Sequence, residues 1–115
     1  MREDVKQKWV EALRSGDYTK TTGRLYRKVE GKDCHCTLGV LCDVALREQV
    51  PGVTFDPNDK NLIFYGPQRD HALLAEKVEE WAGLEYDQAY RIANTNDSSA
   101  GWTFEDMAAW IEDTF

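Results

Sequence analysis

Apolar residues recur at helical spacing near the start of the chain, where Val5, Trp9, Ala12 and Leu13 share one face ahead of Ser15-Gly16. Glycine accepts the left-handed conformation that closes a helix, so this pattern predicts a helix over residues 3–15. "GDYTKTTG" has no period and reads as a polar loop. In "RLYRKVEGK" the period shortens to two, with Leu25, Arg27 and Val29 on one face and Tyr26 and Lys28 on the other. That is a strand signature, ended by a turn at Gly31.

The helical period returns after Cys36. Leu38, Leu41, Cys42 and Ala45 fall on one face, with Val40 and Val44 near its edge. A helix apolar over most of its circumference belongs at the centre of a domain. Thr37 is its expected N-cap. Gly39 costs this helix about 1 kcal/mol relative to alanine, which makes sense where a ligand or another backbone comes close. Pro51-Gly52 ends the element, and "VTFDPNDKNLIFYG" reads as a hairpin. Its strands are Val53–Phe55 and Leu62–Tyr65, and its turn is Asp56–Asp59. Asp70 is expected to cap a third helix, with Leu74, Val78 and Trp81 inward and Gly83 at the end. Asp87–Asn94 reads as a short fourth helix and "NTNDSSAG" as a loop. Thr103 should cap the last helix with Asp106 at N3, and Phe104, Met107, Ala108 and Ile111 form its buried stripe. The expected fold is a single α+β domain over residues 1–115: about five helices around a central apolar helix, with a small antiparallel β-sheet.

Composition adds bounds. With 42% hydrophobic and 30% charged residues in 115 positions, the chain has the balance of one globular domain with one core. "MREDVKQKWVEALRSG" contains no apolar signal-peptide region, and no apolar run approaches membrane-spanning length, so no membrane partner is expected. Three cysteines, an odd number, argue against a disulfide framework and for a reducing compartment.

The net charge of −7 is unevenly spread. Residues 20–32 hold Lys20, Arg24, Arg27, Lys28 and Lys32 against Glu30, a local balance of +4. From Asp70 onward, eleven acids face Lys77 and Arg91. The overall sign disfavours direct nucleic-acid binding, while a confined anion site on the basic segment stays open.

Three constellations carry possible chemistry. Cys34, His35, Cys36, Cys42 and His71 could nominally hold zinc, but neighbours on an extended segment point to opposite sides and no second Cys-x-x-Cys pair exists. Cys42 sits on the apolar helix face, where a free cysteine acts as a small hydrophobe. Core packing is therefore the expected role, with no metal and no cofactor. A hydrolase reading would use Cys36 at a helix N-terminus with His71 as base, oriented by Asp43 or Asp70. The sequence ties neither aspartate to a histidine, and catalytic residues are not assigned.

In "YTKTTGRLYRK", hydroxyls, cations and two tyrosines interleave. Phosphates take such donors, and bases stack on such rings. The candidate ligand-binding set is Tyr18, Lys20, Thr21, Thr22, Arg24, Tyr26, Arg27 and Lys28. Because alternate strand residues face opposite ways, these cations cannot all meet one ligand unless a second subunit contributes, so a homo-oligomer is expected. Finally, "EKVEEW" and "FEDMAAWIEDTF" carry acids that could imitate DNA phosphates or meet a basic protein, although solvated amphipathic helices show the same pattern. Exposed Trp102 and Trp110 would favour an interface.

The motifs "KWVEALRSGDY", "CTLGVLCDVAL", "WAGL" and "NTND…FEDMAAWIE" occur in this order over nearly the whole chain. Together they resemble a family of small proteins encoded by bacteriophages and prophages, with "ALRSG-Y", "CCLGVLCD", "WAGL" and "NDSG" motifs. Here His35-Cys36 stands in place of the double cysteine, and "NDSSAGWTF" lengthens the usual turn. The resemblance implies action in the host cytoplasm, and small phage proteins outside the virion often counter host defences. The leading expectation is a sponge that sequesters a small phosphorylated nucleotide, such as a cyclic dinucleotide or NAD-derived immune signal. The alternatives are an acidic inhibitor of a host defence or DNA-binding protein, and a small hydrolase using Cys36 and His71.

Overall fold

The N-terminal helical period forms α1 (Glu3–Arg14), in the computed structural model that describes residues 1–55, the backbone of 64–65, and residues 76–115. Val5, Trp9, Val10 and Leu13 of α1 are buried. Glu3 and Asp4 in the first turn and Arg14 in the last oppose the helix dipole. Ser15 closes the helix, its hydroxyl donating to the Ala12 carbonyl at 2.6 Å, and Gly16 follows at φ +81°.

The next three elements form a mixed sheet of β1 (Thr19–Lys20), β2 (Tyr26–Val29) and β3 (Lys32–His35), in the order β1-β3-β2. β2 and β3 pair antiparallel through Glu30-Gly31, whose φ values of 51° and 80° suit a two-residue hairpin turn. β1 pairs parallel with β3, Thr19 opposite Cys34 and Lys20 opposite His35. The expected all-antiparallel sheet is thus corrected, and the expected loop at 17–23 contains a strand. Both elements gain their pairing from β3, which has no apolar alternation to announce it. Nor does β2 bury alternate residues: Tyr26 is buried, while Arg27, Lys28 and Val29 are all exposed.

α2 (Thr37–Arg47) is the central apolar helix, with eight of its eleven residues buried. Its N-cap is Cys36 rather than the expected Thr37. The Cys36 Sγ accepts from the Gly39 N–H at 3.3 Å, and the thiol takes the place usually held by a hydroxyl or carboxylate. Gly39 is explained by backbone. A Cβ there would lie 1.8 Å from the Leu25 carbonyl oxygen, the atom that also accepts from the Cys36 N–H at 3.2 Å.

β4 (Thr54–Phe55) and β5 (Phe64–Tyr65) pair antiparallel, as the expected hairpin requires. Its turn at Asp56–Asp59, Leu62, and the residues Asp70, His71 and Leu74 lie outside the described residues. α3 (Glu76–Ala82) buries Val78 and leaves Trp81 partly exposed. α4 (Tyr86–Asn96) is longer than expected, taking in the first residues of the supposed loop. α5 (Phe104–Thr114) has the expected capping box, with Thr103 Oγ1 accepting from the Asp106 N–H at 3.1 Å and Asp106 accepting from the Thr103 N–H at 2.9 Å. Met107, Ala108 and Ile111 are buried and Phe104 partly so. α1 packs against α5 and α2, and Arg14 ties α1 to α5 by ion pairs to Glu105 and Glu112. The architecture is α+β, and no helix among the described residues is long and apolar enough to cross a membrane.

Candidate functional site

The N-terminus of α2 is a polar hub within the core. Asn96, 1% exposed at the end of α4, reaches it with its side chain. Its Oδ1 accepts from the Thr37 N–H at 3.0 Å and from the Thr37 hydroxyl at 2.8 Å. Its Nδ2 donates to the Thr21 carbonyl at 3.1 Å and to Asp97 at 2.8 Å. Trp9 donates from Nε1 to the Thr37 carbonyl at 2.9 Å. These bonds satisfy a helix-terminal N–H that would otherwise be buried without a partner, and they fix the loop carrying the basic segment.

Several of the candidate ligand-binding groups have internal partners. Lys20 Nζ donates to the Asn96 carbonyl at 2.8 Å. The Thr21 N–H donates to the His35 carbonyl at 2.9 Å, and its carbonyl is held by Asn96. The Gly23 N–H, a natural anion donor, is taken by the Asp97 carboxylate at 3.1 Å. Arg27 is exposed and donates to the Thr22 carbonyl at 3.4 Å. Arg24 is half-buried, and Thr22 and Lys28 are exposed. Lys28 lies opposite Asp33 and Arg27 opposite Cys34, and cross-strand partners share a face. The sheet therefore splits Lys28 from Arg27, as strand alternation requires.

The structure does bring the two tyrosines together, around His35. The Tyr18 and His35 ring centroids are 5.2 Å apart, and those of Tyr26 and His35 5.3 Å, both edge-to-face. Tyr18 donates its hydroxyl to Asp43, and Tyr26 donates to Asp33. Asp17, Arg47 and Phe55 complete a cavity of about 230 Å³. Burial and the neighbouring carboxylate raise both phenols, Tyr26 to about 12. Burial lowers the His35 pKa against the opposing pull of Asp43 and Asp33. His35 is 9% exposed, and its Nδ1 has no hydrogen-bond partner among the described residues. The sequence reading named His35 and Asp43 but linked neither to the tyrosines. It missed Asp33 and Asn96, whose partners lie across a hairpin or far along the chain.

A second surface lies on α5. Trp102, Trp110, Ala100 and Ala109 line an open groove of about 520 Å³ that Asp106, Asp113 and Thr114 complete. Both tryptophans are partly exposed. Trp110 packs edge-to-face with Trp102 at 5.7 Å and with Phe115 at 5.3 Å. The Arg91 guanidinium lies 5.5 Å from the Trp110 ring centroid and 5.7 Å from that of Phe115. On α4, Tyr86 and Tyr90 are about half exposed and stacked at 6.2 Å.

None of the three cysteines is in a disulfide, and all are buried. Cys36 is raised to about 11 by burial, and a buried, protonated thiol is a poor nucleophile. The Cys34 thiol faces the Lys32 carbonyl at 3.6 Å. Among the described residues, no three His, Cys, Asp or Glu side chains gather as a metal site.

A family model described as a domain of unknown function, DUF8296, matches residues 1–115, and the chain belongs to that family. No curated protein and no solved structure matches the chain in the corresponding comparisons.

Proposed function

We propose that the protein acts by binding, as an acidic inhibitor that docks a basic protein segment on the α5 groove. The observation that carries this reading is an aromatic groove with carboxylates at its edge, in a chain of net charge −7. Aromatic residues are enriched where proteins meet, and Arg91 already places a guanidinium over two rings of this cluster. The complementary occupant is a segment of arginine or lysine interleaved with apolar residues. The resemblance to phage proteins makes a host defence or DNA-binding protein the expected owner of that segment. A DNA-like row of carboxylates is less well supported, because Glu105 and Glu112 are paired with Arg14 and Asp106 serves the capping box.

The test is a titration of the full chain with a peptide of alternating arginine and leucine, read by tryptophan fluorescence. Saturable binding is expected, weakened at least about tenfold by Ala109→Arg, which fills the groove from an exposed position, and by Asp113→Lys. No saturable change, or equal affinity in both variants, refutes the proposal.

The nucleotide-sponge reading keeps one supporting observation. Thr22, Arg24, Arg27 and Lys28 stand on or beside a loop that Asn96 and Asp97 hold in place, and preorganised donors bind with less entropic loss. A second subunit would have to complete such a site. Calorimetric titration of wild type and Arg24→Ala with cyclic dinucleotides and adenine dinucleotides tests it. No heat with any of them, or equal affinity in the two proteins, ends that reading.

A further inference from the structure

We propose that the cavity formed by Asp17, Tyr18, Tyr26, Asp33, His35 and Asp43 is a binding site for a small organic cation, a guanidinium or primary ammonium group. The proposal goes beyond docking on α5, because the two surfaces share no lining residue.

Size sets the first limit. About 230 Å³ is below the range of roughly 300–1,000 Å³ common for sites that enclose drug-sized ligands. It suits a side-chain tip or a short alkyl cation, not a dinucleotide.

Charge sets the sign. Three carboxylates, Asp17, Asp33 and Asp43, line the cavity against Arg47. Arg47 is already paired with Asp43 at 3.1 Å. Among the described residues, Asp17 and Asp33 form no ion pair, and Asp33 is held in place by the Tyr26 hydroxyl. Neither tyrosine can neutralise this charge, since each is a phenol donating to a carboxylate. An anion would meet net repulsion, whereas a cation would meet two carboxylates that are in no ion pair among the described residues.

Ring geometry and hydrogen bonding narrow the choice. The Arg47 guanidinium lies 5.6 Å from the Tyr18 ring centroid, so an aromatic ring of this cavity already takes a guanidinium on its face. His35 lines the cavity and is nine-tenths buried, and its buried Nδ1 has no hydrogen-bond partner among the described residues. Burial favours its neutral form, and with the proton on Nε2, Nδ1 is an acceptor. Guanidinium and ammonium groups carry donors only. They match a lining of carboxylates and an imidazole acceptor better than a neutral amide, which brings an acceptor of its own.

The cation could be a free small molecule or the side chain of a protein partner. The experiment titrates the full chain at fixed ionic strength with ethylguanidinium, n-propylammonium, the peptide Gly-Arg-Gly amide, and ethylurea as neutral control, read by NMR shifts of the tyrosine rings. Wild type is expected to bind at least one cation and not ethylurea. Asp33→Asn should weaken that binding roughly tenfold or more. Asp17→Asn carries the same test should Asp33→Asn fail to fold, because Asp17 is exposed. Binding of the small cations identifies a free ligand, and binding of the peptide alone identifies a partner's side chain. Lack of binding by every cation, equal binding of ethylurea, or wild-type affinity in both variants overturns the proposal.

Discussion

Replacing Gly39 by alanine tests the closest approach in the core. Helix propensity alone favours alanine by about 1 kcal/mol. The structure argues for the opposite sign, because the added Cβ would sit 1.8 Å from the Leu25 carbonyl oxygen and 2.8 Å from its carbon. To reach the ~3.3 Å of an ordinary carbon–oxygen contact, the two backbones must separate by roughly 1.5 Å. Neither side gives way cheaply. Leu25 is 1% exposed, and its carbonyl holds the Cys36 N–H at 3.2 Å. Losing that hydrogen bond costs about 1 kcal/mol, and partly unpacking the leucine costs about 2–3 kcal/mol. Net of propensity, Gly39→Ala should destabilise the fold by about 2–3 kcal/mol. For a domain of this size, that lowers Tm by roughly 10 °C. Urea unfolding followed by tryptophan fluorescence measures it, with buried Trp9 as an internal reporter. A variant as stable as wild type, or more stable, would refute the close approach.

Other consequences are equally direct. Asn96→Ala removes the acceptor for the Thr37 N–H and hydroxyl, so denaturant unfolding should show a loss of about 2–4 kcal/mol; a loss under ~1 kcal/mol would mean that Asn96 is not the hub described. All three cysteines should resist a thiol reagent in the native protein and react together on unfolding; rapid native labelling of Cys36 would contradict its burial. His35 has a folded pKa below its ordinary value of 6.5. The unfolded state therefore binds the proton first, and the stability is full above about pH 6.5 and lost as pH falls through that value toward the folded pKa. The urea midpoint should fall between about pH 7 and about pH 5, and fall less in His35→Gln. The raised carboxyl of Glu79 is common to both proteins, so equal pH slopes would remove His35 as the cause.

The helices were legible because each rests on a period that its own residues carry. Leu38, Leu41, Cys42 and Ala45 announce α2, and Thr103 with Asp106 announces the start of α5. β1 and β3 were hidden because their pairing is not local: Lys32-Asp33-Cys34-His35 has no alternation, and Thr19-Lys20 becomes a strand only by lying parallel to it. The N-cap of α2 was misplaced by one residue for a chemical reason. A hydroxyl was favoured over a thiol, yet the thiol of Cys36 caps Gly39 while Thr37 is served by Asn96.

The same distinction governs the site. The charge of +4 over residues 20–32 is a true property of the segment, but a count along the chain cannot show what each cation or amide meets. Lys20 finds the Asn96 carbonyl and the Gly23 N–H finds Asp97, partners more than seventy residues away. Asp97, at the C-terminal end of α4, puts a carboxylate where a phosphate would need the amide free. Around His35 the relation reverses. Asp33 and Asp43 gave no local signal of a shared role, yet β2, β3 and α2 bring them to the two tyrosines. Part of the basic segment is thus committed inward, and the concentrated negative charge of the cavity sits beside it. The fold has separated the sign of the segment from the sign of the site it builds, which is why cationic ligands are the more searching probes of this cavity.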